Sequence, residues 1–392
     1  MGAEGGTRVR LCVDAGPTEN GHRVRGIGSC TRQLLAAMTP ALAAAHGIEL
    51  VVVSRRPAPT GGPSAAPWAR RGWTAELTGV RLETSPRLAN WSQLLDAAWS
   101  LPRDVAATGA HVFLATDPQA VALSPAFATV AMLYDVVPLV MPDLYLTGRM
   151  AGLPDWLYRH RLARQRRAAA HIAISETTRD DAVRLAGFDA NRMTVVPLGV
   201  DRQRFSVRDP VEARARLGLP RPYLLFVGAG DERKDLTGML AAHAGLDVDL
   251  VVAGTTGSPH DRVRWLGHVD DADLPWLYAG ALGFVFPSLY EGFGLPILEA
   301  MSAGIPVVTS RVSAIPEVAG DAALYFERDD ARGLHNALQQ LIADPGLRAA
   351  LLTRGLAQAQ RYSWRRTAEG VLAACRAVAT NRPGWAATSR AV

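Results

Sequence analysis

A chain of 392 residues, 48% hydrophobic and 20% charged, is long and apolar enough for two to three domains with buried cores, which excludes a disordered chain. No window reaches the ~18 uncharged apolar residues of a membrane-spanning helix, and the opening MGAEGGTRVRLCVDAG lacks the basic and apolar regions of a secretory leader, so a cytoplasmic protein is expected. With 42 basic residues against 37 acidic, the net charge of +5 fits an anionic ligand or an anionic membrane surface as readily as nucleic acid.

The first half alternates β-rich and helical runs. Strands are predicted at 8–14, 49–54, 111–115, 129–134, 171–175 and 193–196, each bounded by Gly, Pro, Asp or Ser. Helices are predicted between them at 29–46, 154–170 and 177–186, with Ser175 and Thr177 as candidate N-caps of the last. Residues 200–222 are charged and contain proline, and read as a linker with one short helix; the linker proper is drawn at 206–221. The pattern then restarts, with strands at 223–227, 249–253, 263–266, 283–286, 307–309 and 323–326. Residues 329–379 read as three helices, the last opened by Tyr362, Ser363 and Trp364, and 381–392 as a tail. Strand–helix alternation in two similar halves predicts an α/β protein of two Rossmann-like, doubly wound domains, 1–205 and 222–361, facing one cleft. A C-terminal helix at 362–380 is expected to pack back toward the N-terminal domain.

The cysteines Cys12, Cys30 and Cys375 are odd in number and far apart, so neither a disulfide framework nor a cysteine zinc site is expected. Lys234 is the sole lysine; every other one of the 42 basic residues is arginine. In such a chain a lone lysine is either chemically chosen or a survivor of GC-rich coding.

The strongest local signal is PSLYEGFGLPILEAMSAG at 287–304. It follows the apolar run GFVF and opens a helix near Pro296, a residue suited to a first helical turn. Gly292 and Gly294 permit close backbone approach, and a helix N-terminus offers N–H groups to an anion. Glu291 and Glu299 have the chemistry to accept hydrogen bonds from the hydroxyls of one ligand; the plain alternatives are a solvated loop residue and a helix-dipole partner. Three further segments carry candidates. Gly26 and Gly28 follow the first strand and precede a helix. Tyr134–Asp135 ends a strand, where the aspartate also suits a cap. Asp271 in GHVDD suits a helix N-cap. The D-x-D strings at 247–249 and 271–273 read as a strand entry and a helix start, so no metal is expected. Arg149, Arg159, Arg161, Arg164, Arg166 and Arg167, with Leu153, Trp156 and Leu157, form either a membrane-facing stretch or a solvated basic face.

The 287–304 string resembles the EGFG-x3-E signature of the retaining family 4 glycosyltransferases of GT-B fold. The resemblance runs in order through RGIGSCTRQLL, YDVVPLVMPDLYL, AISETTRDDAVRLAGFDANRMTVVPLGVDRQRF, LLFVGAGDERKDL, the segment 266–310, IPEVAGDAAL and RYSW. It implies that domain 1–205 serves the acceptor and 222–361 binds a nucleotide-sugar donor. By the same resemblance Glu291 faces the donor sugar; Gly292, Phe293, Gly294 and Leu295 supply backbone contacts; Glu299 binds the ribose; and Lys234 binds phosphate. Gly26 and Gly28 then lie toward the diphosphate, Val269 and Asp271 at the base, and Tyr134 and Asp135 at the acceptor side near the reacting centre. Where relatives often carry an arginine this chain has Ala229, and Arg233 either compensates or is a surface residue. The tyrosine of Tyr134–Asp135 resembles a subgroup of bacterial polysaccharide mannosyltransferases.

These implications make the chain a metal-independent, retaining hexosyltransferase with no required cofactor. Its donor is expected to be GDP-mannose, with a UDP-sugar as the alternative. Its acceptor is expected to be a glycan or lipid-linked acceptor in surface polysaccharide, lipopolysaccharide or glycolipid synthesis, at a cytoplasmic site or peripherally on the membrane. An NAD(P) oxidoreductase is disfavoured because GIGSCT and GAGDER stop short of G-x-G-x-x-G. A nucleic-acid-binding protein is disfavoured because the basic residues are scattered without a binding motif.

Overall fold

The structure is a computed structural model and describes residues 8–18, 26–53, 99–118, 120–147, 155–228 and 230–381. It divides into two compact units. The first comprises the described residues of 1–174, Thr178–Pro197 and those of 364–392; the second comprises Ser175–Thr177 and Leu198–Ser363.

The first unit contains, in order, β1 (Val9–Asp14), α1 (Gly26–Ala37), α2 (Pro40–Ala45), β2 (Ile48–Val53), α3 (Leu101–Ala107), β3 (Val112–Ala115), β4 (Ala128–Leu133), the short α4 (Val137–Val140) and α5 (Pro142–Tyr145), α6 (Asp155–Gln165), β5 (Ala170–Ala173), α7 (Glu176–Ala186) and β6 (Met193–Val195). The strands pair in parallel in the order β2-β1-β3-β4-β5-β6. Runs such as VFLA are buried at every position, as a parallel sheet covered on both faces requires. The last described helix, Trp364–Thr380, belongs to this unit, with Val371, Leu372 and Cys375 fully buried and the Thr367 hydroxyl donating to Pro197 O at 2.8 Å.

Two expectations are corrected here. The helix predicted at 29–46 is two helices. Pro40 opens the second, holding Thr39 extended (φ −70°, ψ 154°), and the Thr39 hydroxyl caps it by accepting from Leu42 N. Gly26 and Gly28 do not precede α1 as a loop; they form its first turn.

The second unit contains α8 (Pro210–Arg216), β7 (Tyr223–Val227), α9 (Leu236–His243), β8 (Asp249–Ala253), β9 (Val263–Gly267), α10 (Leu274–Gly280), β10 (Gly283–Phe286), α11 (Leu295–Ser302), β11 (Val307–Ser310), α12 (Ile315–Ala319), β12 (Ala323–Phe326), α13 (Ala331–Ala343) and α14 (Pro345–Ala359). All six strands are parallel, in the order β12-β11-β10-β7-β8-β9. Leu224, Phe226, Leu250, Val252, Val285 and Val308 from the strands pack against Leu338 and Leu341 of α13. The long segment of the unit runs from Leu198, where the expected boundary lay at 205, and Phe205 within it is buried edge-on against Tyr278.

This strand order reverses direction between β7 and β10, which lie side by side although they are far apart in sequence. The crevice outside the carboxyl ends of the strands at such a reversal is where doubly wound sheets bind ligands. The loops leaving β7 and β10 therefore define the place to look for chemistry.

Candidate active site

The two loops are stitched together by Leu289 N–H donating to Arg233 O at 2.8 Å. The β7 loop ends in a single 3-10 turn, Glu232–Lys234, capped by Asp231, whose carboxylate accepts from Arg233 N at 3.0 Å. Asp235 follows with a left-handed backbone (φ 48°), and its carboxylate caps α9 by accepting from Gly238 N. The sharp reversal leaves Lys234 pointing back across the sheet, its ammonium 4.5 Å from the centre of the Phe286 ring at the end of β10.

Glu291 meets both basic side chains. Lys234 Nζ donates to its Oε1 at 2.7 Å, and Arg233 Nη1 lies 2.8 Å from its Oε2. Arg233 Nη1 also donates to Tyr290 O at 2.7 Å. All three side chains are at least 85% buried, with exposures of 15%, 15% and 10% for Lys234, Arg233 and Glu291. The readings of Arg233 as a surface arginine and Glu291 as a solvated loop residue are thereby overturned. Burial pushes the Glu291 carboxyl up, but the charges of Lys234 and Arg233 outweigh it and hold the group below its ordinary value. Burial, with Arg233 alongside, lowers Lys234, and Glu291 opposes that shift. The backbone of Glu291 is fixed as well: its N–H donates to Ser313 Oγ at 2.8 Å, and Ser313 sits in the left-handed region (φ 45°), a conformation a serine adopts only under surrounding constraint.

The next residues turn the chain into α11. Gly292 O accepts from Ser175 Oγ at 2.7 Å. Phe293 is buried and packs edge-on against Tyr362 at 5.9 Å. Gly294 occupies the N-cap at φ 107°, where a side chain would be strained, and it brings no capping side chain. Leu295 is the first helical residue. The open first turn presents the positive end of the helix dipole beside the Lys234–Glu291–Arg233 cluster. One turn on, Glu299 accepts a hydrogen bond from the Tyr278 hydroxyl at 3.0 Å. Burial pushes the Glu299 carboxyl up to about 7, against the opposing effects of that bond and of Arg204, with Asp271 adding to the rise.

Other expected residues fall elsewhere. Val269 is half-buried and Asp271 exposed, in the loop after β9. Asp271 is not the helix cap, since that position belongs to Asp273, and it is not a buried carboxylate, its side chain being 81% exposed. In the first unit, Tyr134 is buried at the end of β4, its phenol pushed well up by burial with Asp117 and Asp14 nearby. Asp135 accepts from Val137 N at 3.1 Å and so caps the turn that follows. The arginines at 159–166 do not form one solvated face. Arg161 is 9% exposed, Arg159 pairs with Asp155 at 2.8 Å, and Arg164 and Arg166 donate to Val121 O and Ala186 O. Arg149 and Leu153 of that stretch lie outside the described residues, as does Ala229. The two D-x-D strings are a strand entry and a helix start, with Asp247 and Asp249 facing Arg221 and Arg262.

Asp231, Tyr278, Phe286 and Ser313 were not singled out from the sequence, and Ser175 was read only as a helix N-cap. Asp231 is two residues before Arg233 and was open to recognition as an N-cap; the others act on the site only through the fold.

The family model described as Glycosyl transferases group 1 matches residues 221–344, and that described as Glycosyltransferase Family 4 matches residues 25–204. The chain belongs to these glycosyltransferases, and its two parallel six-stranded sheets are the GT-B fold. Among similar proteins, the O-antigen chain mannosyltransferase B of Escherichia coli is 36% identical over 216 residues, 49% of this chain and 56% of that one. The D-inositol 3-phosphate glycosyltransferase of Acidothermus cellulolyticus is 33% identical over 256 residues, 57% and 56% of the two chains. The matched part thus spans about half the length of either relative. The solved sucrose-phosphate synthase from Thermosynechococcus elongatus superposes with a TM-score of 0.73 at 22% identity, covering 92% of this chain and 96% of that one. Among the described residues, no helix is long and apolar enough to cross a membrane.

Proposed function

We propose that this glycosyltransferase is a retaining enzyme that moves mannose from GDP-mannose to a glycan or lipid-linked acceptor in bacterial surface polysaccharide or glycolipid synthesis, without a metal ion. The observation that carries the reading is the buried meeting of Lys234, Arg233 and Glu291 beside the open N-terminus of α11. The similarity to an O-antigen mannosyltransferase supports mannose as the transferred sugar.

The cluster suggests how a donor is received. A diphosphate carries more negative charge than Glu291, so on entry it competes for the Lys234 ammonium and adds the helix N-terminus as a second partner. Glu291 is then freed to accept hydrogen bonds from the sugar hydroxyls through its carboxylate oxygens. As the bond from the sugar carbon to the phosphate oxygen breaks, negative charge grows on the leaving group, and Lys234 and Arg233 stabilise it where water is largely excluded. For a retaining transfer the acceptor attacks the face the diphosphate leaves, and a leaving phosphate oxygen takes the acceptor's proton. No covalent sugar–enzyme bond is required. Glu299 is assigned to the ribose, Tyr134 and Asp135 to the acceptor.

The test is a hydrolysis and transfer screen across GDP-, UDP-, ADP- and dTDP-sugars with the purified protein. GDP-mannose is expected to be turned over fastest. Turnover of a UDP-sugar in its place would replace the donor and leave the glycosyltransferase intact.

A further inference from the structure

Tyr278 of α10 has no task in the reading above. Its ring is fully buried, with the Phe205 ring edge-on at 5.6 Å and the Phe284 ring at 5.3 Å. Phe284 stacks in turn on Phe286 at 5.7 Å, and the Phe286 ring centre lies 4.5 Å from the Lys234 ammonium. A row of rings therefore runs from Tyr278 to the lysine at the switch point. Packed at interior density between two other rings, the Tyr278 ring keeps one orientation and its hydroxyl one position. A buried phenol needs a partner, and this one donates to Glu299 Oε2 at 3.0 Å. Burial, with the charge of Glu299 alongside, pushes the phenol well above its ordinary value, so it stays a donor. Glu299 Oε1, in contrast, makes no hydrogen bond among the described residues, and Glu299 is half-buried, not sealed. Two charges face the carboxyl from other elements. Arg204, ahead of α8, lowers it and Asp271, in the loop after β9, raises it; the Arg204 Nη2 donates to Asp271 O at 2.7 Å.

We infer that Tyr278 is a positioning residue for the donor: it holds one oxygen of Glu299 so that the other is presented to the ribose hydroxyls. The inference rests on the reading that a nucleotide sugar binds this unit with Glu299 at the ribose. A glutamate held by nothing gives up the freedom of three torsions when it binds a ligand. Anchored at Oε2, Glu299 has given up part of that freedom beforehand. The bond also favours the charged form of the carboxyl, and a charged acceptor binds hydroxyls more strongly than a neutral one. Because the same row of rings backs Lys234, the ribose contact and the diphosphate contact share one rigid support.

Calorimetric titration with GDP and with 2′,3′-dideoxy-GDP, which lacks both ribose hydroxyls, isolates the contact, because base and diphosphate are common to the two. Wild-type protein should bind GDP about tenfold more tightly than the dideoxy compound. Tyr278→Phe keeps the ring among its neighbours and deletes only the donor. With folding checked by thermal melting, its gap should shrink to about threefold. The pH profile is a second readout. The wild-type gap should widen as the pH rises through about 7, where Glu299 ionises, and in Tyr278→Phe the same widening should come at higher pH. In Glu299→Ala, which has no carboxylate to position, adding Tyr278→Phe should leave the remaining gap unchanged. A folded Tyr278→Phe protein with the wild-type gap and pH profile overturns the inference. So does one that loses GDP and dideoxy-GDP equally, which would make Tyr278 a packing residue only. A wild-type chain that binds the two compounds equally would remove the ribose reading, and one that binds neither would remove the donor reading; the inference falls with either.

Discussion

Glu299 should make the protein less stable as the pH rises through neutrality, and Glu299→Gln should remove that dependence. Burial on α11 beside Tyr278 raises its carboxyl from an ordinary 4.5 to about 7. The folded state then keeps a proton that the unfolded chain has already released. Below pH 4.5 both states are protonated and the carboxyl contributes no pH dependence. Between 4.5 and 7 the unfolded state binds fewer protons, so stability falls by about 1.36 kcal/mol per pH unit, toward roughly 3 kcal/mol above pH 7. Glutamine still accepts the Tyr278 hydroxyl bond and never ionises. Denaturant titrations of both proteins at pH 5 and pH 8 should show the stability of the variant relative to wild type improving by about 2–3 kcal/mol between the two conditions. A difference that is the same at both pH values would refute the reasoning, as would a variant that loses ground at pH 8. The same substitution should weaken nucleoside diphosphate binding by about tenfold, the scale of a lost charged hydrogen bond, which would explain why a costly carboxylate is kept.

Three further outcomes follow from the cluster at the switch point. Glu291→Gln should lower turnover at least tenfold by weakening a bond to the donor sugar, about 1.5–3 kcal/mol for a charged acceptor, and a folded variant with wild-type turnover would remove Glu291 from the sugar. Lys234→Ala should weaken diphosphate binding and slow transfer, with Lys234→Arg restoring only part; calorimetry and initial rates measure both, and normal values for the alanine variant would make the lone lysine an accident of composition. Activity should persist in excess EDTA, because Lys234, Arg233 and the α11 N-terminus meet the diphosphate charge, and loss of activity reversed by added Mg²⁺ or Mn²⁺ would contradict this.

The architecture was legible because its strands are short apolar runs punctuated by Gly, Pro and Asp. The segments 223–227, 249–253, 283–286 and 323–326 match β7, β8, β10 and β12 residue for residue. Boundaries failed where a single residue overrode a helical run, as Pro40 does in splitting α1 from α2. The residues of the buried cluster were legible one at a time through the EGFG string and the lone lysine. Their meeting was not, because Lys234 and Glu291 are 57 residues apart and are joined only by the crossover that sets β7 beside β10. Asp271 shows the opposite limit. Its charge is visible in the sequence, but its exposure and its hold on Arg204, 67 residues away, arise from the fold.

In the proposed reaction a nucleotide-sugar diphosphate displaces Glu291 from Lys234 and is cleaved there. The most direct measurement is GDP release from GDP-mannose by wild-type protein, Lys234→Ala and Glu291→Gln side by side, with acceptor-free hydrolysis as the readout. Steady release by the wild type, reduced at least tenfold in each folded variant, is the expected result. No release by the wild type, or undiminished release by both variants, would contradict it.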